Sequence, residues 1–370
     1  MTKFTVPYTA LAEEFRGEKS NYLNVFEKVL LSGRYILGPE LSSLEAEFAS
    51  YCESKYAIGV ASGTDALLLV LRSLHLQPTD EVITAPNSYI ASASAIALAG
   101  ATPRFADICH CGNLSPEAFE AAITPNTKAV IPVHLTGRPA EMNEIIRIAK
   151  KHNIFVIEDA AQAVGASLNG QKVGSWGDAA CFSFHPLKNL RAFGDGGMIV
   201  TRHKWLNDEL RQERNQGLAT REQCDYWGFN SRLDELQAAF LRVQLHKLSE
   251  KTEKRRELAF RYNELLRPYV QVPDEHSGEY CVYQTYVIKA ENRDELKAHL
   301  LNKGVEALVH YPIPIHLQPA AKYLGYTKDD FPNTMHHVCQ ILSLPLYPNL
   351  TQSQQEYVAH QIKDFYKRKI

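Results

Sequence analysis

Between Phe155 and Thr201 the chain reads FVIEDAAQAVGASLNGQKVGSWGDAACFSFHPLKNLRAFGDGGMIVT, and this stretch constrains the fold more than any other. Phe155-Val156-Ile157 is an apolar run of the kind that forms a buried strand in a parallel sheet. It delivers Glu158 and Asp159 to its C-terminal end, where ligands bind in open α/β sheets. A second apolar run, Ala179 to Phe184, delivers Ser183 and His185 and leads into Pro186-Leu187-Lys188-Asn189-Leu190. Gly194-Asp195-Gly196-Gly197 then marks a turn that needs positive φ or a close backbone approach. Upstream, strand-like Tyr56–Ala61, Glu81–Ala85, Thr102–Ile108 and Lys128–Leu135 alternate with helix-like segments, ending in the amphipathic Met142–His152, which Asn153 breaks. That alternation predicts an α/β protein, with a mostly parallel sheet flanked by helices.

At 370 residues the chain has room for two domains, and 45% hydrophobic with 22% charged residues is ordinary for a soluble globular protein. A net charge of −2 gives no electrostatic reason to bind nucleic acid or an anionic membrane. No stretch of about 18 apolar residues predicts a membrane span, and MTKFTVPYTALAEEFRGE lacks the apolar centre of a signal peptide. The seven cysteines are odd in number and scattered, which predicts reduced thiols in a cytoplasmic protein. Cys109-His110-Cys111 is spaced too tightly for a zinc CxxC half-site and has no second half, so no metal is expected.

A carboxylate, a hydroxyl and a lysine at strand ends, beside a glycine-rich turn, are what a pyridoxal 5'-phosphate site needs. The cofactor's aldehyde forms a Schiff base with a deprotonated lysine, and burial depresses a lysine pKa enough to allow this near neutrality. An ionised aspartate beside the ring nitrogen keeps it protonated. Lys188 is therefore the expected Schiff-base former and Asp159 the expected partner of the ring nitrogen. The phosphate needs backbone N–H groups, hydroxyls and a helix N-terminus. Ser62-Gly63-Thr64 opens a helix after the first strand, where it serves either as a cap or as a phosphate cradle.

EDAAQAVGA, FSFHPLKNL and GDGG together resemble the DegT/DnrJ/EryC1 family of sugar aminotransferases, of aminotransferase fold type I, and the likeness runs from about Gly33 to Pro348. The resemblance implies a large domain with a mostly parallel sheet, expected over 1–245, and a small C-terminal α+β domain over 246–370. It tips Ser62, Gly63 and Thr64 towards the phosphate and makes Ser183 a further phosphate donor. Tyr89 would stack on the cofactor ring, in the offset geometry that suits a flat pyridine, and Gln162 would bond its phenolic oxygen. Asn230 resembles the family asparagine that reaches a partner subunit's cofactor phosphate, which implies a homodimer with a shared active site. Asn230 could equally cap the long helix expected from Leu233 to about Leu266.

The GxYxLGP segment, Gly33 to Pro39, lies near the site mouth in the family or is a rigid connector. His134 could approach substrate or be structural. On the substrate side His185, Tyr311 and His316 are candidates, the last two from the HYPxPxH segment, whose prolines could instead simply pin a loop. Arg191 departs from the small residue that many relatives carry after KNL, and would pair with a substrate phosphate or carboxylate or point at solvent. The implied reaction moves an amino group from an amino acid, most plausibly L-glutamate, to a keto sugar, with a nucleotide-linked 3-keto sugar favoured. A keto-sugar phosphate or keto-cyclitol acceptor, or a non-catalytic sensor of the same fold, are the alternatives. Relatives that are dehydratases replace the lysine with histidine, against which Lys188 argues.

Overall fold

The computed structural model describes residues 4–367. Its strands, in chain order, are β1 Tyr56–Val60, β2 Glu81–Thr84, β3 Thr102–Phe105, β4 Thr127–Ile131, β5 Phe155–Asp159, β6 Ser167–Leu168, β7 Gln171–Lys172, β8 Ala179–Ser183, β9 Gly197–Thr201, β10 Glu279–Tyr280, β11 Tyr286–Lys289 and β12 Ile341–Leu344. Seven form one sheet in the order β1-β9-β8-β5-β4-β2-β3. Only β9 runs antiparallel to its neighbours; the remaining pairs are parallel. The C-terminal ends of β1, β2, β4, β5 and β8 therefore share one edge with the start of β9, and the site is built along that edge.

The helices follow from local sequence. Met142–His152 buries Met142, Ile145, Ile148 and Ala149 at helical spacing, and Asn153 ends it in the left-handed region at φ 55. The helix Pro39–Tyr51 has proline at its start, and its N-terminal N–H groups are capped from a distance. The Glu235 carboxylate, 1% exposed, accepts from the N–H groups of Gly38, Glu40 and Leu41 at 2.9 Å each. A Cβ on Gly38 would stand 2.7 Å from that carboxylate. The Gly33–Pro39 segment is thus a connector clamped by Glu235.

The predicted helix from Leu233 to Leu266 is two helices, Glu235–Leu245 and Leu248–Leu266. Leu241, Leu245 and Leu248 pack beneath the main sheet, whereas Ala259, Tyr262 and Leu266 pack in a C-terminal core with Tyr286, Leu296, Leu342 and Val358. The chain turns at His246-Lys247 between these two cores. The first helix, Leu11–Ser32, has its N-terminal half held by side-chain pairs from Glu14 to Arg191 and from Glu18 to Lys247. Between β10 and β11 the chain bends at Tyr283, whose φ is 42. β10 pairs with β6, and β11 pairs with β12. Val6 of the N-terminal arm packs in the C-terminal core and bridges to Val305.

One expectation about cysteine is corrected: Cys109 and Cys111 are joined by a disulfide, while Cys52, Cys181, Cys224, Cys281 and Cys339 are free. The loop brings two sulfurs two residues apart into bonding range, which scattered spacing along the sequence does not reveal. No helix among the described residues is long and apolar enough to cross a membrane.

Candidate active site

Asp159, 5% exposed, ends β5. Its backbone is locked to the chain after β4, with its N–H on Pro132 O at 2.9 Å and its carbonyl accepting from His134 N–H at 3.0 Å. Its carboxylate accepts from Ser92 Oγ at 2.8 Å and from Ala161 N–H at 3.2 Å. Burial pushes its pKa up, and those two donors and the Lys188 charge oppose the rise. Sequence reasoning missed Ser92, which sits in the small-residue run IASASA and is joined to Ser88 Oγ at 3.0 Å. The serine at position 92, on a helix facing β5, was its only trace.

Behind Asp159 lies a buried brace. Glu158 accepts from the N–H groups of Gly174, Trp176 and Gly177 at 2.9, 3.0 and 2.9 Å. His134 Nδ1 accepts from Ala140 N–H at 2.9 Å, so its Nε2 carries the proton and donates to Glu158 at 3.0 Å. His134 is fully buried and structural, which resolves the two readings of it.

Lys188 lies in a tight loop closed by its own N–H on His185 O at 2.8 Å. The loop is held from the C-terminal side: Asn189 Nδ2 donates to Val282 O at 3.0 Å and Gln284 Nε2 to Leu187 O at 3.1 Å. Burial pushes the Lys188 pKa down to about 8, against the pull of the Asp159 carboxylate. At pH 7 the neutral amine is then about 300-fold more abundant than on a free lysine.

Ser62 caps the helix Gly63–Arg72, its Oγ accepting from Asp65 N–H at 3.0 Å. A Cβ on Gly63 would lie 2.7 Å from Ser183 Cβ, so glycine brings the helix N-terminus directly onto Ser183. A Cβ on Gly197 would lie 2.3 Å from Ser62 O, which explains the glycine turn as a close backbone approach. Ser62, Gly63, Thr64 and Ser183 thus converge. Ser231 Oγ donates to Asp65 at 2.6 Å and accepts from Ala61 N–H at 3.1 Å, pinning the segment beside this cradle. Asn230, next to Ser231, is exposed and does not enter the cradle of its own chain.

Gln162 Oε1 accepts from Thr136 N–H at 2.6 Å, leaving its amide N–H2 to donate to Tyr311 Oη at 3.3 Å. Tyr311 lies 5.5 Å from the ring of Tyr89, which is 52% exposed. His185 is exposed, its Nδ1 accepting from Leu187 N–H at 3.2 Å. Two substrate-side expectations are corrected. Arg191 meets neither substrate space nor solvent: it is ion-paired with Glu14 of the first helix, with only 14% of its side chain exposed. His316 is 2% exposed and packs edge-on against Phe331 at 4.8 Å, in a cluster with Phe105 and Ile315. Its apolar neighbours come from distant segments, which is why its place in HYPxPxH looked substrate-facing.

The profile of the DegT/DnrJ/EryC1/StrS aminotransferase family matches residues 17–363. The chain belongs to this family. This aminotransferase is similar to a dTDP-3-amino-3,4,6-trideoxy-alpha-D-glucose transaminase of Streptomyces venezuelae, at 40% identity over 98% of this chain and 97% of that one. It is similar to a UDP-N-acetyl-3-dehydro-alpha-D-glucosamine 3-aminotransferase of Acidithiobacillus ferrooxidans, at 42% identity over 98% and 99%. A pleiotropic regulatory protein of Geobacillus stearothermophilus is 44% identical over 98% and 99%. Among solved structures, S. venezuelae DesV in complex with a ketimine intermediate matches at TM-score 0.95 and 40% identity over 100% of both chains. NtdA of Bacillus subtilis with bound PMP matches at 0.92 and 32%, over 99% of this chain and 86% of that one.

The family's cofactor, pyridoxal 5'-phosphate, fits the residues present. Gly63 and Gly197 let a helix N-terminus close directly onto Ser183 and the start of β9, the lysine amine is depressed towards its neutral form, and a buried carboxylate stands by for a cationic ring nitrogen.

Proposed function

We propose that this aminotransferase moves the amino group of L-glutamate to a nucleotide-linked 3-keto sugar. The observation that carries the proposal is the pairing of Lys188, whose amine is shifted towards its neutral form, with buried Asp159 and the Gly63–Ser183 approach on one sheet edge. The relatives acting on 3-amino and 3-keto sugar nucleotides, at 40 and 42% identity, support the acceptor class.

The bound cofactor supplies the electron sink. Lys188 Nζ takes the proton from the amino acid's Cα and returns one on the other side of the transfer, and its tether gives it a high effective concentration. Asp159, held by Ser92 and Ala161, would keep a proton on the cofactor's ring nitrogen. Ser62, Gly63, Thr64 and Ser183 hold the phosphate through N–H and hydroxyl groups. Gln162 would meet the cofactor's phenolic oxygen, Tyr89 would pack on its ring, and Tyr311 and His185 would lie towards the acceptor.

Tyr89, Ile90 and Leu187, in the segments that build the Lys188 cluster, are exposed within one chain. Such a concentration of exposed apolar groups suits a subunit contact. In this reading the protein is a cytoplasmic homodimer, Asn230 completes the partner's phosphate site, and residues 1–245 and 246–370 are its large and small domains, the arm around Val6 being lent to the small one. The regulatory name of the 44% identical relative keeps a sensor reading in view; Lys188 supports catalysis instead.

The test is a panel of nucleotide-linked keto sugars, keto-sugar phosphates and keto-cyclitols, each with glutamate, scored for 2-oxoglutarate. The nucleotide-linked 3-keto sugars should turn over at least tenfold faster than the rest. Preference for a phosphate or cyclitol would replace the acceptor, and no turnover with any would favour the sensor.

A further inference from the structure

We infer that Cys109 and Cys111 are a reversible thiol–disulfide couple, a redox modification site on the loop that braces the active-site edge. The disulfide closes a loop of sequence separation 2. So short a loop removes little freedom from the unfolded chain, so this bond is no global staple and its breaking acts locally. Both cysteines are half-buried and within reach of a small reductant. In the step, the S–S bond breaks as a dithiol gives up two electrons and two protons. Two protein thiols form and the reductant becomes a disulfide; oxidised glutathione reverses the exchange.

The loop's contacts show what the couple would govern. Asp107, just before the pair, accepts from the N–H groups of Asn333 and Thr334 at 2.9 Å each and so caps the helix Pro332–Gln340. Gly112, just after it, accepts from Asn87 Nδ2 at 2.7 Å, two residues from Tyr89. Asn113 Oδ1 accepts from Leu135 N–H at 3.1 Å, and the neighbouring Thr136 N–H holds Gln162. The disulfide thus fixes a loop that ties the C-terminal unit, the Tyr89 turn and the Gln162 support together. Reduction removes the cross-link and leaves those three sets of hydrogen bonds on a freer backbone.

The Cys109 and Cys111 sulfurs and a Glu141 oxygen all lie within 4.8 Å of one another, a spacing that a soft divalent cation would also accept. The experiment separates the two. Cofactor-loaded protein is equilibrated in oxidised glutathione or in dithiothreitol, with and without a chelator, alkylated while folded, and mapped by mass spectrometry. Hydrogen exchange is followed at Leu135, Thr136, Asn333 and Thr334. Expected are a protected pair in oxidised glutathione, a doubly alkylated pair in dithiothreitol regardless of chelator, and exchange at those amides about threefold faster after reduction. The Cys109→Ser/Cys111→Ser variant should show the faster exchange in both buffers. The inference is overturned by a pair alkylated or protected in both buffers, by protection in dithiothreitol that only the chelator lifts, or by exchange that ignores the redox state. None of these readouts requires turnover, so failure here leaves the proposed reaction untouched.

Discussion

Replacing Lys188 with methionine should abolish transamination and yet stabilise the cofactor-free protein. In the folded state the ammonium is buried, and its pKa falls from the ordinary 10.5 to about 8. The unfolded chain therefore binds the extra proton throughout the window from pH 8 to 10.5. Stability contributed by this group rises with pH across that window and is lost as pH falls through 8. At 1.36 kcal/mol per unit, the charged lysine costs the folded protein about 3 kcal/mol at pH 7. At pH 9.5 the cost falls to about 1.4 kcal/mol, so the difference between Lys188→Met and wild type should shrink by about 2 kcal/mol between the two pH values. Any gain from methionine's packing is the same at both and cancels. Urea unfolding of the two cofactor-free proteins at pH 7 and 9.5 measures the double difference. A variant no more stable than wild type at pH 7, or a difference that does not change with pH, would refute the claim that burial sets this amine's proton affinity.

Three further outcomes follow from the same geometry. Ser92→Ala removes one donor from the Asp159 carboxylate and favours its protonated form, so the acid limb of kcat/KM against pH should move up by about one unit. Gly63→Ala sets a Cβ 2.7 Å from Ser183 Cβ, and cofactor affinity measured by fluorescence titration should fall roughly tenfold, the effect of about 1.4 kcal/mol. Glu14→Gln leaves Arg191 without its buried partner beside Lys251 and Arg255, whose charges both feel Glu14. It should cost about 3 kcal/mol in urea unfolding, whereas Arg191→Met should leave KM for both substrates unchanged.

Asp159 and Ser183 were legible because short apolar runs end in them, Lys188 because it follows such a run closely, and a parallel sheet carries such ends to one edge. The glycine turn ending at 197 was legible as a site of backbone need and Gly63 as part of a helix start, although only the structure shows that Ser62 and Ser183 crowd them. What could not be read depends on partners far apart in the chain. The Arg191–Glu14 pair spans 177 positions, and the Glu235 cap of the helix Pro39–Tyr51 spans 197 at Gly38. His316 carries no local sign that Phe105 and Phe331 will enclose it. The turn at His246-Lys247 has no Gly or Pro to announce it, since it arises where the apolar stripe changes cores.

The account stands on Lys188 being the amine that holds the cofactor. Reducing the cofactor-loaded protein with borohydride and mapping its peptides by mass spectrometry tests this directly. A single phosphopyridoxyl mass on the peptide containing Lys188 is the predicted result; the same mass on another lysine, or on none, would contradict it.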